Sequence, residues 1–392
     1  MFALSARHSH AAVPPCRPQS GSSTSPYPDP LPDRLPAPAE YGGPVSGHPL
    51  APYDACVVLS FGGPEGPDEV LPFLRRVTAG RGIPDERLIE VGAHYALFGG
   101  VSPINAQNRA LVAALASEFA GRGVDIPVVL ANRNTPPFVE DVLAELSPGR
   151  ILVLLTSAYR SYSSCRQYRE DLARAAHGHD LVIDKIEAYG DQPAFRDTLA
   201  RLAGEAIDAA GGVEHVLTVA HSIPLAMDDA SGPPESGGNA YSTMLAEVTT
   251  DVAARLAERT GVTLPTDLVF CSRSGPPNQP WLEPDVGDRI EELATTGVRR
   301  IALVPIGFVS DHMEVRYDLD VQARERAEAV EVATVRTPTV GTDPQFVAML
   351  ADLALARAAE ARGEAPGCVS ATACPTDCCR NLPADLPALC GR

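Results

Sequence analysis

The sequence predicts an α/β protein in which mostly parallel sheets are flanked by helices, and three observations support this prediction. Short apolar runs alternate with longer segments of helical periodicity from position 53 to position 361. The short runs are apolar at successive positions, as strands of a parallel sheet are when helices cover both faces. Strands separated by helices of this length indicate βαβ units. Since there are so many such units, we expect two similar lobes that face each other across a cleft.

Short apolar runs rich in β-branched residues are the predicted strands. They cover residues 55–61, 127–131, 151–157, 215–220, 268–272 and 300–308. The predicted helices repeat apolar residues at intervals of three and four, which gives each helix one face to bury. They cover residues 68–77, 105–122, 138–146, 165–176, 194–210, 240–260, 288–295, 312–329 and 344–361.

Composition divides the chain into five parts. Residues 1–50 are rich in Pro, Ser, Gly and Ala without apolar periodicity, so we predict a disordered tail. We assign residues 51–180 to an N-terminal lobe and residues 181–342 to a C-terminal lobe. A closing helix is predicted over residues 343–362, and residues 363–392 form a cysteine-rich tail.

Charge and composition exclude several classes of function. The formal net charge of −18 argues against a nucleic-acid binder, which needs a basic face to neutralise phosphates. No apolar run reaches the roughly 18 residues of a membrane span. Nine cysteines in a long chain without a secretory signal segment indicate a reducing compartment, so we expect a cytoplasmic protein.

Two predicted strand ends carry ionisable residues. His221 directly follows the run 215–220, and Glu314 follows the run 300–308. In open parallel sheets, ligands bind in the crevice outside the carboxyl ends of the strands. We therefore predict that His221 is a general base or a metal ligand and that Glu314 lies in the same crevice.

The residues around Glu314 allow two interpretations, and both stay open. Asp311 and Glu314 have the D-x-x-E spacing of a capping box at a helix start. Asp318 lies four residues after Glu314 and therefore on the same helix face. A row of carboxylates leading from solvent to a cleft can deliver a hydrated cation or carry protons away.

Aromatic and hydroxyl side chains follow a third predicted strand end, over residues 156–168, and Trp281 adds another flat ring. Such surfaces beside polar groups suit a large planar ligand. The glycine-rich turns at 60–66 and 98–103 match neither G-x-G-x-x-G nor a Walker A motif. We therefore do not expect a nucleotide site.

Taken together, these stretches resemble the ferrochelatase family, in its actinobacterial form. The matching segments are residues 59–67, 98–105, 162–165, 221–224, 272–277 and 307–312, in order within residues 53–360. The resemblance implies two Rossmann-like lobes around a porphyrin cleft, and a lyase that inserts Fe(II) into a porphyrin. The substrate that it implies is coproporphyrin III, giving coprohaem III in haem b biosynthesis. A separate coprohaem decarboxylase would then receive the product.

The resemblance also implies roles for single residues. His221 and Glu314 fall on positions that are catalytic and handle the substrate iron. Phe61, Ser102 and Tyr168 fall on positions that contact the porphyrin.

Several arginines and one loop can affect how a porphyrin substrate binds. Porphyrin propionates need cationic donors, and Arg75, Arg76 and Arg81 are candidates. Arg160 and the stretch 228–238 depart from the family pattern near the cleft.

The cysteine tail suggests a second metal centre. Several members of the family carry a [2Fe–2S] cluster held by one thiolate from mid-chain and three from a C-terminal extension. The resemblance assigns Cys165 to the mid-chain position, and Cys368, Cys374 and Cys379 to the others. Cys378 is an alternative to Cys379.

Three alternative functions stay open. One is a ferrochelatase that acts on protoporphyrin IX. A second is a sirohydrochlorin chelatase, although such proteins typically place a second histidine where this chain has Glu314. The third is a non-catalytic haem or iron-sulfur sensor that keeps the fold without turnover.

Overall fold

Two parallel sheets flanked by helices form the body of the protein. The computed structural model describes residues 47–275, 278–364, 375, 377–384 and 386–389. Positions 1–46 of the predicted N-terminal tail therefore lie outside the described residues. Within the described residues, every pair of neighbouring strands is parallel and the strands form two four-stranded sheets. The predicted fold class is confirmed.

The first sheet has the strand order β2-β1-β3-β4. Its strands are β1 (Ala55–Ser60), β2 (Val128–Asn132), β3 (Gly149–Leu155) and β4 (Leu181–Lys185). All six residues of the central strand β1 are buried, which explains the unbroken apolar run in its sequence.

The second sheet has the order β6-β5-β7-β8, so β5 lies between β6 and β7. Its strands are β5 (His215–His221), β6 (Thr266–Cys271), β7 (Arg300–Val304) and β8 (Ala333–Arg336). Strand β7 ends four residues earlier than the sequence predicts, because Pro305 has no N–H to donate to a neighbouring strand.

The α-helices in the described part of the chain are numbered α1 to α12. Their bounds are Pro67–Val77, Asp85–Ala96, Ile104–Gly121, Val139–Glu145, Gln167–Ala176, Pro193–Ala209, Leu225–Asp229, Ala240–Thr260, Val286–Thr295, Met313–Tyr317, Arg324–Ala329 and Pro344–Ala361. Two π-helical turns, Tyr162–Arg166 and Asp318–Ala323, precede α5 and α11. None of the described helices is both long and apolar enough to cross a membrane.

Four of the described strands and α-helices are absent from the sequence prediction: β4, β8, α2 and the five-residue helix α7. Strands β4 and β8 are short and end in charged residues, so their apolar signal is weak. Helix α2 leaves Ile89 61 % exposed, which blurs the division into an apolar and a polar face. The helix predicted over residues 312–329 is interrupted by the π-helical turn between α10 and α11.

One large apolar core joins the two sheets. It contains residues of β1, β3, β5 and β7 together with residues of α3, α6, α8 and α12. Tyr159, which follows β3, and Tyr241 of α8 belong to this core and are 2 % and 3 % exposed. The carboxyl ends of β5 and β7 are therefore anchored on a rigid interior.

Candidate active site

The candidate site lies at the carboxyl ends of β5, β6 and β7. His221 is the last residue of β5, and Glu314 follows β7 after a turn that contains Gly307. A Cβ atom at Gly307 would lie 2.7 Å from Cα of Ala220, closer than such atoms approach. Glycine therefore lets this turn fold onto β5, which brings His221 and Glu314 together.

The ring of His221 is held between two acceptors. Its Nδ1–H donates to the carbonyl oxygen of Ser222, and its Nε2 lies 3.4 Å from Oε2 of Glu314. The bond from Nδ1 fixes the tautomer and leaves Nε2 as the nitrogen that exchanges a proton. The side chains of His221 and Glu314 are 34 % and 52 % exposed, so solutes can reach both.

The pair has opposite pKa shifts. Burial lowers the pKa of His221, but the hydrogen bond and negative charge of Glu314 raise it by more, so the net shift is upward. Desolvation raises the pKa of Glu314, but the bond to His221 and the charge of that ring lower it by more. The net result is a pKa of about 2. Each side chain of the pair therefore favours the charged form of the other.

His312, and not Asp311, caps helix α10. The backbone N–H of Glu314 donates to Nδ1 of His312 over 3.2 Å, so this nitrogen carries no proton. Burial lowers the pKa of His312, which agrees with a neutral ring. Asp311 instead forms a two-pronged ion pair of 2.9 and 2.8 Å with Arg336. The capping box predicted for Asp311 is wrong, because a cation from β8 binds its carboxylate.

Asp318 continues the carboxylate row as predicted from its spacing, although it opens a π-helical turn. The hydroxyl of Ser272, at the end of β6, donates to its carboxylate. The pKa of Asp318 is raised to about 7. Burial is the largest cause and the charge of Glu314 raises the pKa as well, whereas the bond from Ser272 lowers it. A carboxyl group that exchanges its proton near neutral pH thus stands one helical turn from Glu314.

The N-terminal lobe contributes an arginine that the sequence analysis missed. The guanidinium of Arg133 lies 4.6 Å from the ring of Tyr168 and 5.7 Å from that of Phe61, and it pairs with Asp171. Arg133 directly follows β2. Like His221, Arg133 is an ionisable residue at the end of a parallel strand, so the same sequence pattern indicates it as a candidate site residue.

The structure places the three residues predicted to contact a porphyrin in the N-terminal lobe. Phe61 and Tyr168 are joined through Arg133, and Tyr168 is 5 % exposed. Ser102 is 3 % exposed, and its N–H donates 2.8 Å to the carbonyl of Pro64. In the described part of the chain, no hydrogen bond, ion pair or ring contact joins these residues to His221.

The candidate propionate ligands occupy different surroundings. Arg75 is exposed and pairs with Asp85, and Arg81 is exposed. The guanidinium of Arg76 lies 4.1 Å from the ring of Phe138, and its Nε donates to the carbonyl of Arg133. Arg76 is thus connected to the Arg133 region.

Helix α3 supports the segment that leads to Glu314. Asn108 is fully buried and accepts a 2.9 Å hydrogen bond from the Ser310 hydroxyl. Oε1 of Gln107 accepts a 2.7 Å hydrogen bond from the N–H of Asp311. An element of the N-terminal lobe therefore fixes the segment of the C-terminal lobe that leads to Glu314.

The described part of the cysteine tail packs against α5 and its preceding turn. Fully buried Arg169 donates from Nε to the carbonyl of Leu389 over 2.6 Å. Arg166 donates to the carbonyl of Leu386 over 2.9 Å, and Asn381 donates to Glu170 over 3.2 Å. The tail is thereby tied to the segment that contains Cys165.

Three of the cysteines considered as cluster ligands are described and are buried: Cys165, Cys378 and Cys379. Sγ of Cys378 and Sγ of Cys379 are 3.8 Å apart, and Cys379 exchanges hydrogen bonds with Gly232. Cys368 and Cys374 lie outside the described residues. Among the residues the structure does describe, no group of three or more His, Cys, Asp or Glu side chains could hold a metal ion.

Both departures from the family pattern lie among the described residues. Arg160 lies 3.8 Å from Glu187, which also binds the buried Lys185. Residues 228–238 include the end of α7 and a short turn, Pro234–Ser236. Gly232, within this stretch, is the contact point of Cys379.

Fold and site together define a two-lobed α/β protein with a histidine–glutamate pair at the edge of a parallel sheet. The ferrochelatase family model matches residues 53–358. The chain belongs to the ferrochelatase family, whose members are enzymes that insert iron into a porphyrin.

Curated relatives match over most of their length. The coproporphyrin III ferrochelatase of Streptomyces coelicolor is 50 % identical over 355 residues, covering 84 % of this chain and 94 % of that protein. That of Nocardia farcinica is 43 % identical over 360 residues, covering 86 % and 99 %. Among solved structures, SirB from Bacillus subtilis with Fe3+ is 13 % identical with a TM-score of 0.42, covering 78 % of this chain and 94 % of that one.

Proposed function

We propose that this ferrochelatase inserts Fe(II) into coproporphyrin III to form coprohaem III, with His221 as the base. The observation that supports the base assignment is the 3.4 Å approach of His221 Nε2 to Glu314 Oε2 at neighbouring strand ends. The substrate assignment rests on relatives that are named coproporphyrin III ferrochelatases. We also propose a cytoplasmic location and transfer of the product to a decarboxylase.

Insertion of Fe(II) releases two pyrrole N–H protons, and the site offers acceptors for them. In this mechanism Nε2 of unprotonated His221 takes up a pyrrole proton, and Glu314 stabilises the resulting imidazolium. Asp318 exchanges protons near neutral pH and can pass them towards solvent. Glu314, half exposed and ionised, is also suited to guide the incoming iron.

A pH dependence follows from this assignment. Since the pKa of His221 is raised, part of the enzyme carries a protonated ring at neutral pH. The rate should therefore rise as the pH rises through that pKa.

The test is anaerobic metalation followed by porphyrin absorbance, with coproporphyrin III and protoporphyrin IX in parallel. We expect faster loss of the coproporphyrin III signal, and His221→Ala should abolish turnover while retaining porphyrin binding. The control is His177→Ala, which removes an exposed histidine after α5. Undiminished turnover in His221→Ala would remove the base assignment. A preference for protoporphyrin IX would overturn the substrate assignment alone, and binding without turnover in the unaltered protein would favour a sensor.

We further propose that Cys165, Cys368, Cys374 and Cys379 hold a [2Fe–2S] cluster. Three observations support the fit of the described residues. Thiols of Cys165 and Cys379 are buried, and the tail is bonded to the segment that contains Cys165. The Gly232 N–H lies 3.1 Å from Cys379 Sγ, a donor that favours a thiolate. When bound, such a cluster can accept one electron and connect the tail to the body.

The cluster has a direct spectroscopic test. Protein purified without oxygen should show visible iron-sulfur absorption, and Cys165→Ser should remove it. Cys56→Ala, a change of a buried cysteine in β1, should leave it intact. Comparison of Cys378→Ser with Cys379→Ser identifies which of the two is the ligand. A fully coloured Cys165→Ser protein would exclude the proposed ligand set.

A further inference from the structure

Two buried tyrosines support the strand ends that carry the acid–base pair. The hydroxyl of Tyr241 donates to the carbonyl oxygen of His221 over 2.8 Å. The hydroxyl of Tyr159 donates to the carbonyl oxygen of Ile306 over 2.8 Å, in the turn that leads from β7 to Glu314. Each phenol thus holds the backbone of one of the two catalytic segments.

The two rings also contact each other. Their centroids are 6.0 Å apart and their planes are inclined by 80°, an edge-to-face arrangement. Both side chains lie in the large core between the sheets, and Phe195 packs edge-to-face on Tyr159 at 6.4 Å. The two donors therefore have little freedom to move independently.

The two rings come from different lobes. Tyr159 follows β3 of the first sheet, whereas Tyr241 is the second residue of α8, beside the second sheet. The Tyr159 bond to Ile306 therefore crosses from the N-terminal lobe to the turn before Glu314.

We infer that Tyr159 and Tyr241 are positioning residues that set the distance between His221 and Glu314. This inference rests on the proposed roles of His221 and Glu314. Each phenol hydroxyl bonds to a backbone carbonyl oxygen, so each acts through the backbone. Loss of a hydroxyl leaves a carbonyl without its buried donor and lets that strand end shift. Displacements well below 1 Å matter here, because proton transfer requires close approach.

The experiment compares Tyr241→Phe and Tyr159→Phe with Tyr189→Phe. Tyr189 is a matched control: it is 2 % exposed, lies in the same core, and donates over 2.9 Å to the carbonyl of Leu155. All three variants lose one buried phenol bond, so similar losses of thermal stability are expected. The first two should lower kcat about tenfold at unchanged KM for the porphyrin, by analogy with other misplaced catalytic groups. The control should keep its kcat.

A second readout does not depend on turnover. The ring nitrogens of His221 report its tautomer in long-range proton–nitrogen NMR spectra of the full chain. We expect broadened or doubled His221 ring signals in Tyr241→Phe and unchanged signals in Tyr189→Phe. Unchanged His221 signals and unchanged kcat in both test variants would overturn the inference. Altered His221 signals with unchanged kcat would instead overturn the proposed base while retaining the positioning role. If Tyr241→Phe does not fold, Tyr159→Phe decides on the same criteria.

Discussion

Replacement of Glu314 by Gln should lower the pKa of His221 by about one unit. Two unit charges 3.4 Å apart interact by about 1 kcal/mol in water and about 5 kcal/mol at an effective dielectric constant of about 20. Because the Glu314 side chain is 52 % exposed, the lower part of this range applies, about 1–2 kcal/mol. One pKa unit corresponds to about 1.4 kcal/mol, which gives the expected shift.

The assay is an NMR titration of the histidine Cε1–H signals, with His221→Asn to assign the signal of interest. Glu328→Gln is the control, since this exposed carboxylate of α11 pairs with Arg324 and not with His221. In Glu314→Gln the acid limb of the pH–rate profile should move to lower pH by the same amount. A His221 pKa that stays within about 0.3 units of the parent value would refute the electrostatic reasoning.

Three further changes test other parts of the structure. Arg357→Leu should lower the free energy of unfolding, measured by urea denaturation, by about 3 kcal/mol, because it removes one partner of buried Asp184. A decrease below about 1 kcal/mol would contradict this. Asp318→Asn should flatten the pH dependence of the melting temperature. The folded carboxyl keeps its proton to about pH 7, so its contribution to stability falls as pH rises from about 4 to 8. An unaltered pH dependence would contradict the raised pKa. Asn108→Ala should lower the free energy of unfolding by about 2 kcal/mol, because two buried hydroxyl groups lose their partner. Stability equal to the parent's would contradict this.

The sequence predicts the strand ends of the site well, because a buried parallel strand is recognisable by itself. The positions of His221 and Glu314 after such strands predict that both lie in one crevice, and the structure brings the two side chains together. The capping box at Asp311 fails for a different reason. Arg336, the cation that binds Asp311, comes from a strand whose short charged sequence gave no signal.

Other features of the site depend on contacts between distant segments. The bond from Tyr159 to Ile306 joins residues 147 positions apart, and that from Ser310 to Asn108 joins residues 202 positions apart. Neither leaves a local pattern in the sequence. The π-helical turn at Asp318 likewise interrupts a segment whose periodicity indicated one continuous helix.

The buried guanidinium of Arg169 constrains how this chain can evolve. Its side chain donates to backbone carbonyls of Pro375 and Leu389, so loss of the tail would remove both of these acceptors. An arginine at position 169 is therefore favoured by the presence of the tail, and Arg166, which donates to Leu386, is favoured in part for the same reason. In an alignment of descendants, tail length and the residue types at these two positions should change together.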